Sequence, residues 1–373
     1  MNKRERVLQA VNHQETDFVP YNFHAVPAVW ERLCQHYGLA DHHEAMAYIG
    51  SHVVKIGSDF NYNPWASEVK HVELTPSGGP VYTDQDREGL LHTDEFGCVW
   101  DRRGSLPHPT AYPLGDVPDE QVSRALADYK IPDPYHAGRF DSARALADRY
   151  RGDLFIFGKL GMCLFERAWS IRGMDRILID MIERPEFVEA LLDRILYEWN
   201  LPIVEQQLAI GVDGFYFAED WGSETALLFS PRLWRRFIKP RLALMYERCR
   251  TAGVIVGQHS DGAVGGLFPE LIEIGLQVFN PLSPTIMDPV EYKAHWGDKL
   301  TFYGGIDVER LMPFGTPGDV RREIRRMAAL MGKGGGYILQ SSHTILDDVP
   351  TENIVAYVEE VRTMAGMGHS GGP

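Results

Sequence analysis

Two residue pairs in this chain have the types and spacing for chemistry. His259 and Asp261 stand two apart in "VIVGQHSDGAVGG". On an extended strand residues two apart point the same way, so an imidazole and a carboxylate would share one face. Such a pair can hold a metal, or act as a base with its orienting partner. The plainer alternative is a turn at Asp261-Gly262 beside a core histidine. "FAEDWG" adds Glu219 and Asp220, which could be site acids or acids near a helix N-terminus. His343 closes the run "GYILQSSH".

The elements that must bring these groups together are short, nearly continuous apolar runs. They fall at 19–23, 52–57, 154–160, 214–220, 254–259, 277–283, 301–307 and 336–343. Continuous apolar character suits parallel strands covered on both faces. Between them lie helical patterns. "SPRLWRRFIKPRLALMYERCRTAG" offers Ser230 as N-cap and Pro231 at the first helical position, with Pro240 expected to kink or break it. Thr316-Pro317 opens another helix, whose Arg321, Arg322, Arg325 and Arg326 read as a solvated face. Eight strand–helix units predict an α/β (β/α)8 (TIM) barrel spanning 1–365 as a single domain. A punctuated β-prone stretch at 67–112 predicts a hairpin or meander inserted between strands two and three. Residues 366–373 read as a flexible tail.

A barrel of this kind carries its active site at the C-terminal strand ends. Polar side chains gather there in the sequence. Asn22, His24, Gln258, Asn280 and Gln340 are candidate substrate contacts. Asp59, Asp220, Tyr303 and His343 are candidates to orient substrate or carry protons. His259, Asp261 and His343, with Glu219, are candidate metal ligands.

Composition limits the partners. The chain has 373 residues and a formal net charge of −15, with the acids spread along its length. Such a surface repels nucleic acid and anionic lipid. The four cysteines form no C-x-x-C pair, and no apolar run approaches the ~20 residues needed to span a bilayer. A reduced, cytoplasmic protein acting on a small molecule is expected.

The segments "ERAWSIRGMDRILIDMIERPEFV", "GVDGFYFAEDWGS", "LLFSPRLWRRFIKPR", "HSDG", "PELIEIGLQVFNPLSP", "FYGGID" and "GGGYILQSSHTILDDVPTENI" carry a family likeness. The chain resembles the uroporphyrinogen decarboxylase-like superfamily, and within it the corrinoid-linked methyltransferases. That resemblance implies a barrel with its site at the strand C-termini, and a homodimer. Two departures matter. Where true uroporphyrinogen decarboxylases share the arginine-bearing "RQAGRY", this chain has "VPYNFHAVPAVWER", with no arginine before Arg32. A polycarboxylate tetrapyrrole would be poorly neutralised there. Asp59 lies roughly where that family keeps its key aspartate.

The zinc methyltransferases of the superfamily share an H-x-C pair and a distant Cys. Here His259 remains, Asp261 replaces the Cys, and "QSSH" with His343 stands near the last Cys. A His/Asp/His set is harder and less thiophilic, yet suits Zn²⁺ with an open position. The resemblance therefore implies activation of an ether or hydroxyl oxygen, as in an O-demethylase. The methyl group would pass to or from a cobamide on a separate corrinoid protein, because the chain has no D-x-H-x-x-G motif. Two alternatives stand beside this reading. One is a metal-free decarboxylase of a small acid, with Asp59 stabilising a developing cation and His343 donating a proton. The other is a non-catalytic barrel.

Overall fold

The computed structural model describes residues 1–58, 73–74, 80–81, 91–101 and 108–367. Seven parallel strands form one sheet in sequential order: β1 (Val53–Ile56), β2 (Phe155–Gly161), β3 (Gly214–Ala218), β4 (Ile255–His259), β5 (Val278–Leu282), β6 (Thr301–Ile306) and β7 (Tyr337–Ser341). The eighth position belongs to the segment around Tyr21. It is joined to the chain around β7 through two isolated parallel bridges, Tyr21↔Leu339 and Ala25↔Ile345. On its other side, the Tyr21 carbonyl accepts from the His52 amide at 3.0 Å. The ring expected from eight apolar runs is thus closed by a short bridged segment rather than a full strand.

Alternation along the strands sets two layers. Val53, Phe155, Phe157, Tyr216, Val278, Tyr303 and Ile338 pack together inside the ring. Val7 and Val11 of the helix Lys3–Val11 join them. The other face of each strand packs against the surrounding helices in a second, larger core.

The helices start and stop where local chemistry dictates. The Ser230 hydroxyl caps Pro231–Phe237 by accepting from the Leu233 amide at 3.3 Å. The chain breaks at Ile238 before Lys239–Thr251, so the expected interruption near Pro240 is present. Thr316 and Asp319 form a reciprocal capping box on Pro317–Met331. Arg321 and Arg325 of that helix pair with Glu359 and Glu360 of Thr351–Met364, and Arg326 with Glu323.

Between β1 and β2 lie two small antiparallel sheets. Glu73–Leu74 pairs with Pro80–Val81, and Leu91–Thr93, Val99–Asp101 and His108–Ala111 form a three-stranded meander. The inserted β-rich segment predicted at 67–112 is therefore present in its described parts. Buried ion pairs tie it down: Glu95 with Arg139 at 3.0 Å, and Asp94 with Arg167 at 3.3 Å. Among the described residues, no helix is long and apolar enough to cross a membrane.

Candidate active site

Adjacent strands bring the key side chains onto one rung. Ala218 of β3 and Asn280 of β5 are both in register with His259 of β4. His259 is therefore the last inward residue of its strand, at the C-terminal mouth. Asp261 follows two residues later, and β7 delivers His343 from the far side of the ring. The two imidazole centroids are 6.0 Å apart. His343 Nε2 lies 3.6 Å from Asp261 Oδ2, and His259 Nε2 lies 3.9 Å from Asp261 Oδ1. One ligand atom from each of the three residues fits within 4.8 Å of the others.

A chain of hydrogen bonds aims His259. Its Nδ1 lies 2.6 Å from Asn280 Oδ1, so an Nδ1–H donates there and leaves Nε2 with its lone pair facing the mouth. The same amide oxygen accepts from the Tyr216 hydroxyl, and Asn280 Nδ2 donates to the Tyr303 carbonyl at 2.8 Å. Every polar atom of the Asn280 side chain is thus engaged by protein. Asn280 orients the histidine and is not open to a substrate, in contrast to the contact role its position suggested.

Asp220 joins the group. Its Oδ1 accepts from the Asp261 amide at 2.7 Å and stands 3.8 Å from His259 Nε2. Two glycines permit this approach. Gly262 adopts φ +85°, and a Cβ there would overlap the Gly222 backbone. A Cβ on Gly222 would meet the Gly262 carbonyl carbon at 2.9 Å. The Ala263 amide donates to the Ser223 carbonyl at 2.8 Å, which holds the two turns together.

Glu219 points the other way. It is fully buried, and its carboxylate accepts from the amides of Leu164, at 3.1 Å, and Phe165. Those amides open the helix Phe165–Arg172. Strand alternation explains the split: with Ala218 inward, Glu219 faces the helical layer and Asp220 faces the mouth. Glu219 is therefore outside the His/Asp/His group, where the sequence had suggested a fourth ligand. Burial pushes its carboxyl up to about 7, against the pull of the helix amides. Gln258 is displaced for the same reason. It is buried, accepts from the Tyr246 hydroxyl at 2.7 Å and donates to the His259 carbonyl at 2.7 Å.

The remaining candidates divide. Asn22 donates to the Tyr303 hydroxyl at 2.9 Å and to Gln340 Oε1 at 3.1 Å, forming a buried polar cluster. Tyr303 is fully buried inside the ring, and burial raises its hydroxyl pKa. His24 Nε2 lies 2.9 Å from the Thr344 hydroxyl. Burial keeps His24 neutral, assisted by the nearby Lys55, Lys159, His343 and His259. Asp59 lies outside the described residues.

Two residues escaped sequence reasoning. Glu166, in the first turn of Phe165–Arg172, has its carboxyl pKa raised first by burial, then by Asp220, Glu219 and Asp261. Lys55 of β1 points into the ring, buried to 4% exposure, with its ammonium 3.8 Å above the Tyr216 ring. Inward parity from Val53 would have flagged it. It was hidden inside an apolar run.

The donor set fits a divalent cation. Tetrahedral ligands of Zn²⁺ lie about 3.3 Å apart, so these atoms, within 4.8 Å of one another, would draw together by up to about 1.5 Å around one ion. Asp220, 3.8 Å from His259 Nε2, adds a further carboxylate whose charge a cation would offset. Burial lowers the His343 pKa, with Asp261 opposing, so the imidazole is neutral near pH 7 and able to donate its lone pair.

Fold and mouth together define a (β/α)-barrel of the kind that carries catalytic sites at its C-terminal strand ends. The uroporphyrinogen decarboxylase (URO-D) family model matches residues 110–364. The chain belongs to that family, as its motifs had suggested. It is 25% identical over 254 residues to uroporphyrinogen decarboxylase of Psychromonas ingrahamii, covering 64% of this chain and 68% of that protein. It is 25% identical over 263 residues to the Legionella pneumophila protein of the same name, covering 67% and 70%. The structure matches a methyltransferase from Methanosarcina mazei with a TM-score of 0.69 and 16% identity, over 98% of this chain and 99% of that one. That likeness establishes the shared fold.

Proposed function

We propose that this protein is a methyltransferase that moves a methyl group between a small O-methylated substrate and a cobamide carried by a separate corrinoid protein. His259, Asp261 and His343 would hold a Zn²⁺ ion. The observation that carries this reading is the meeting of three ligand atoms, from β4, its following turn and the end of β7, within 4.8 Å at the mouth. The fold shared with the M. mazei methyltransferase supports it, as does a segment with no arginine before Arg32 where the resemblance places the tetrapyrrole-gripping arginines.

When bound, the metal would act as a Lewis acid on the methyl-bearing oxygen. The chain's own groups supply the rest. Asn280 fixes the tautomer of His259, keeping Nε2 free of a proton and turned toward the mouth. Asp220, held by the Asp261 amide, places a carboxylate oxygen where it can take a proton from, or orient, a hydroxyl at the same centre. Beneath them Tyr216, Phe157 and Phe155 form an apolar floor that excludes water from one side of the substrate. The open side would admit the corrinoid protein. A homodimer belongs to this reading through the family resemblance, and a cytoplasmic setting through the cysteine usage and the lack of a long apolar run.

The test uses purified protein, elemental analysis and a panel of O-methylated compounds with cob(I)alamin as acceptor, followed by absorbance. Near-stoichiometric zinc, transfer that stops on chelation, and loss of both zinc and transfer in Asp261→Asn and His343→Ala are expected. Full activity after the metal is stripped would overturn the metal role. If carbon dioxide release replaced methyl transfer, the metal-free decarboxylase would take its place.

A further inference from the structure

Lys55 is the group that the proposed chemistry leaves unused. Its side chain is buried, and among the described residues it makes no hydrogen bond or ion pair. The Nζ atom lies 3.8 Å from the centroid of Tyr216 and 5.2 Å from that of Tyr303. Two aromatic faces stabilise an ammonium there but offer no acceptor to its three N–H donors. A buried amine without an anion is pushed toward its neutral form: burial first, and then Lys159, lower the pKa of Lys55, and an arriving anion would favour its charged form.

Position adds a second observation. Lys159, on the inward face of β2, is in register with Tyr216, the residue Lys55 covers. The two lysines are near enough to act on one another electrostatically. His24 faces the same space, close to both lysines and to His259 and His343, and its buried Nδ1 has no hydrogen-bond partner among the described residues. The mouth therefore has two poles. Carboxylates and histidines gather over β3, β4 and β7, while the cations rise from β1 and β2. Tyr216 links them, since its ring lies under Lys55 and its hydroxyl donates to the Asn280 oxygen that orients His259.

We infer that the substrate carries a carboxylate and that Lys55 is the cation that binds it, with His24 as a flanking polar contact. The inference rests on the methyltransferase reading only in assigning the other end of the molecule to the His259/Asp261/His343 pole. Lys55 acts here as a specificity residue: it selects anionic substrates over neutral analogues of the same shape. A buried charge-assisted contact of this kind discriminates by about tenfold or more.

Two matched pairs test it by calorimetry: 4-methoxybenzoate against 4-methoxybenzamide, and acetate against acetamide. The protein is used as purified and after metal removal. Tighter binding of the anion by about tenfold in at least one pair, retained without metal, abolished in Lys55→Met and partly kept in Lys55→Arg, is the expected result. No preference for the anion in either pair, or a preference that survives in Lys55→Met, overturns the inference. Should Lys55→Met fail to fold, acetic anhydride labelling of the wild-type protein decides. Protection of Lys55 by the acid and not by the amide, read by peptide mass spectrometry, supports the assignment, and equal labelling refutes it. Loss of metal binding and methyl transfer with anion preference intact would fault the enzyme reading alone. The reverse pattern would fault Lys55 alone.

Discussion

The carboxamide of Asn280 does two jobs at once. Its oxygen receives His259 Nδ1–H and the Tyr216 hydroxyl, and its nitrogen is spent on the Tyr303 carbonyl. Partners that fix a metal-binding histidine commonly govern affinity by about 10–100-fold. Asn280→Ala should therefore weaken zinc binding by about that factor, measured by competition with a chromophoric chelator, while leaving the three ligands in place. Unchanged affinity would show that His259 needs no orienting partner. The site residues readable in the sequence were those whose strand parity was applied. His259 with Asp261 was found that way. Glu219 and Gln258 were misplaced because each neighbours an inward residue and itself faces the helices. Parity from Ala218 and His259 would have separated them. Lys55 was legible by the same rule, but apolar neighbours disguised it.

At the scale of elements, the site depends on two turns meeting. The turn after β3 and the turn after β4 touch at Gly222 and Gly262, where neither can carry a side chain without overlap. Gly262 also holds φ +85°, a region that residues with a Cβ rarely adopt. Gly262→Ala should destabilise the fold by about 1–3 kcal/mol. It should also separate Asp220 from the Asp261 amide, lowering metal affinity along with the melting temperature. A variant that melts like wild type and binds metal normally would show that the turns can part without consequence. The strands, helices and caps were visible as elements because apolar runs and cap residues are local signals. The meeting of Gly222 with Gly262 was not, since it joins residues 40 apart in sequence through backbone shape rather than side-chain type.

At the scale of the molecule, acid sensitivity is built into the end of the ring opposite the mouth. His52, just before β1, is 1% exposed, and Arg6 Nη1 donates to its Nε2 at 3.0 Å. Burial, and then Arg6, hold the imidazole pKa down to about 3. The native state thus resists protonation that the unfolded chain accepts. Stability from this residue is complete above pH 6.5, the ordinary histidine value, and is lost progressively as pH falls toward 3. The loss between pH 7 and 5 is on the order of 2 kcal/mol. His24, His43 and His13 are shifted in the same direction and add to the slope. His52→Gln keeps an acceptor for Arg6 but cannot be protonated, so its melting temperature should fall less steeply over that range. Parallel curves for the two proteins would remove His52 as a cause. The (β/α) architecture as a whole was legible because eight apolar runs alternate with helices. The thinness of the eighth strand was not, since "VPYNF" reads as strand wherever it pairs.

That thin member has a kinetic consequence. A ring clasped at two isolated bridges opens there before it opens across ladders of three to five registered pairs. Deuterium should enter the amides of Asn22 and Val26, which donate across the seam to Leu339 and Ile345, well before those of β6. Asn22 and His24 ride on the parting edge, so each such breath would loosen the lining of the mouth while its far wall stays shut. Equal exchange across seam and ladder would mean that the hoop gives way nowhere in particular.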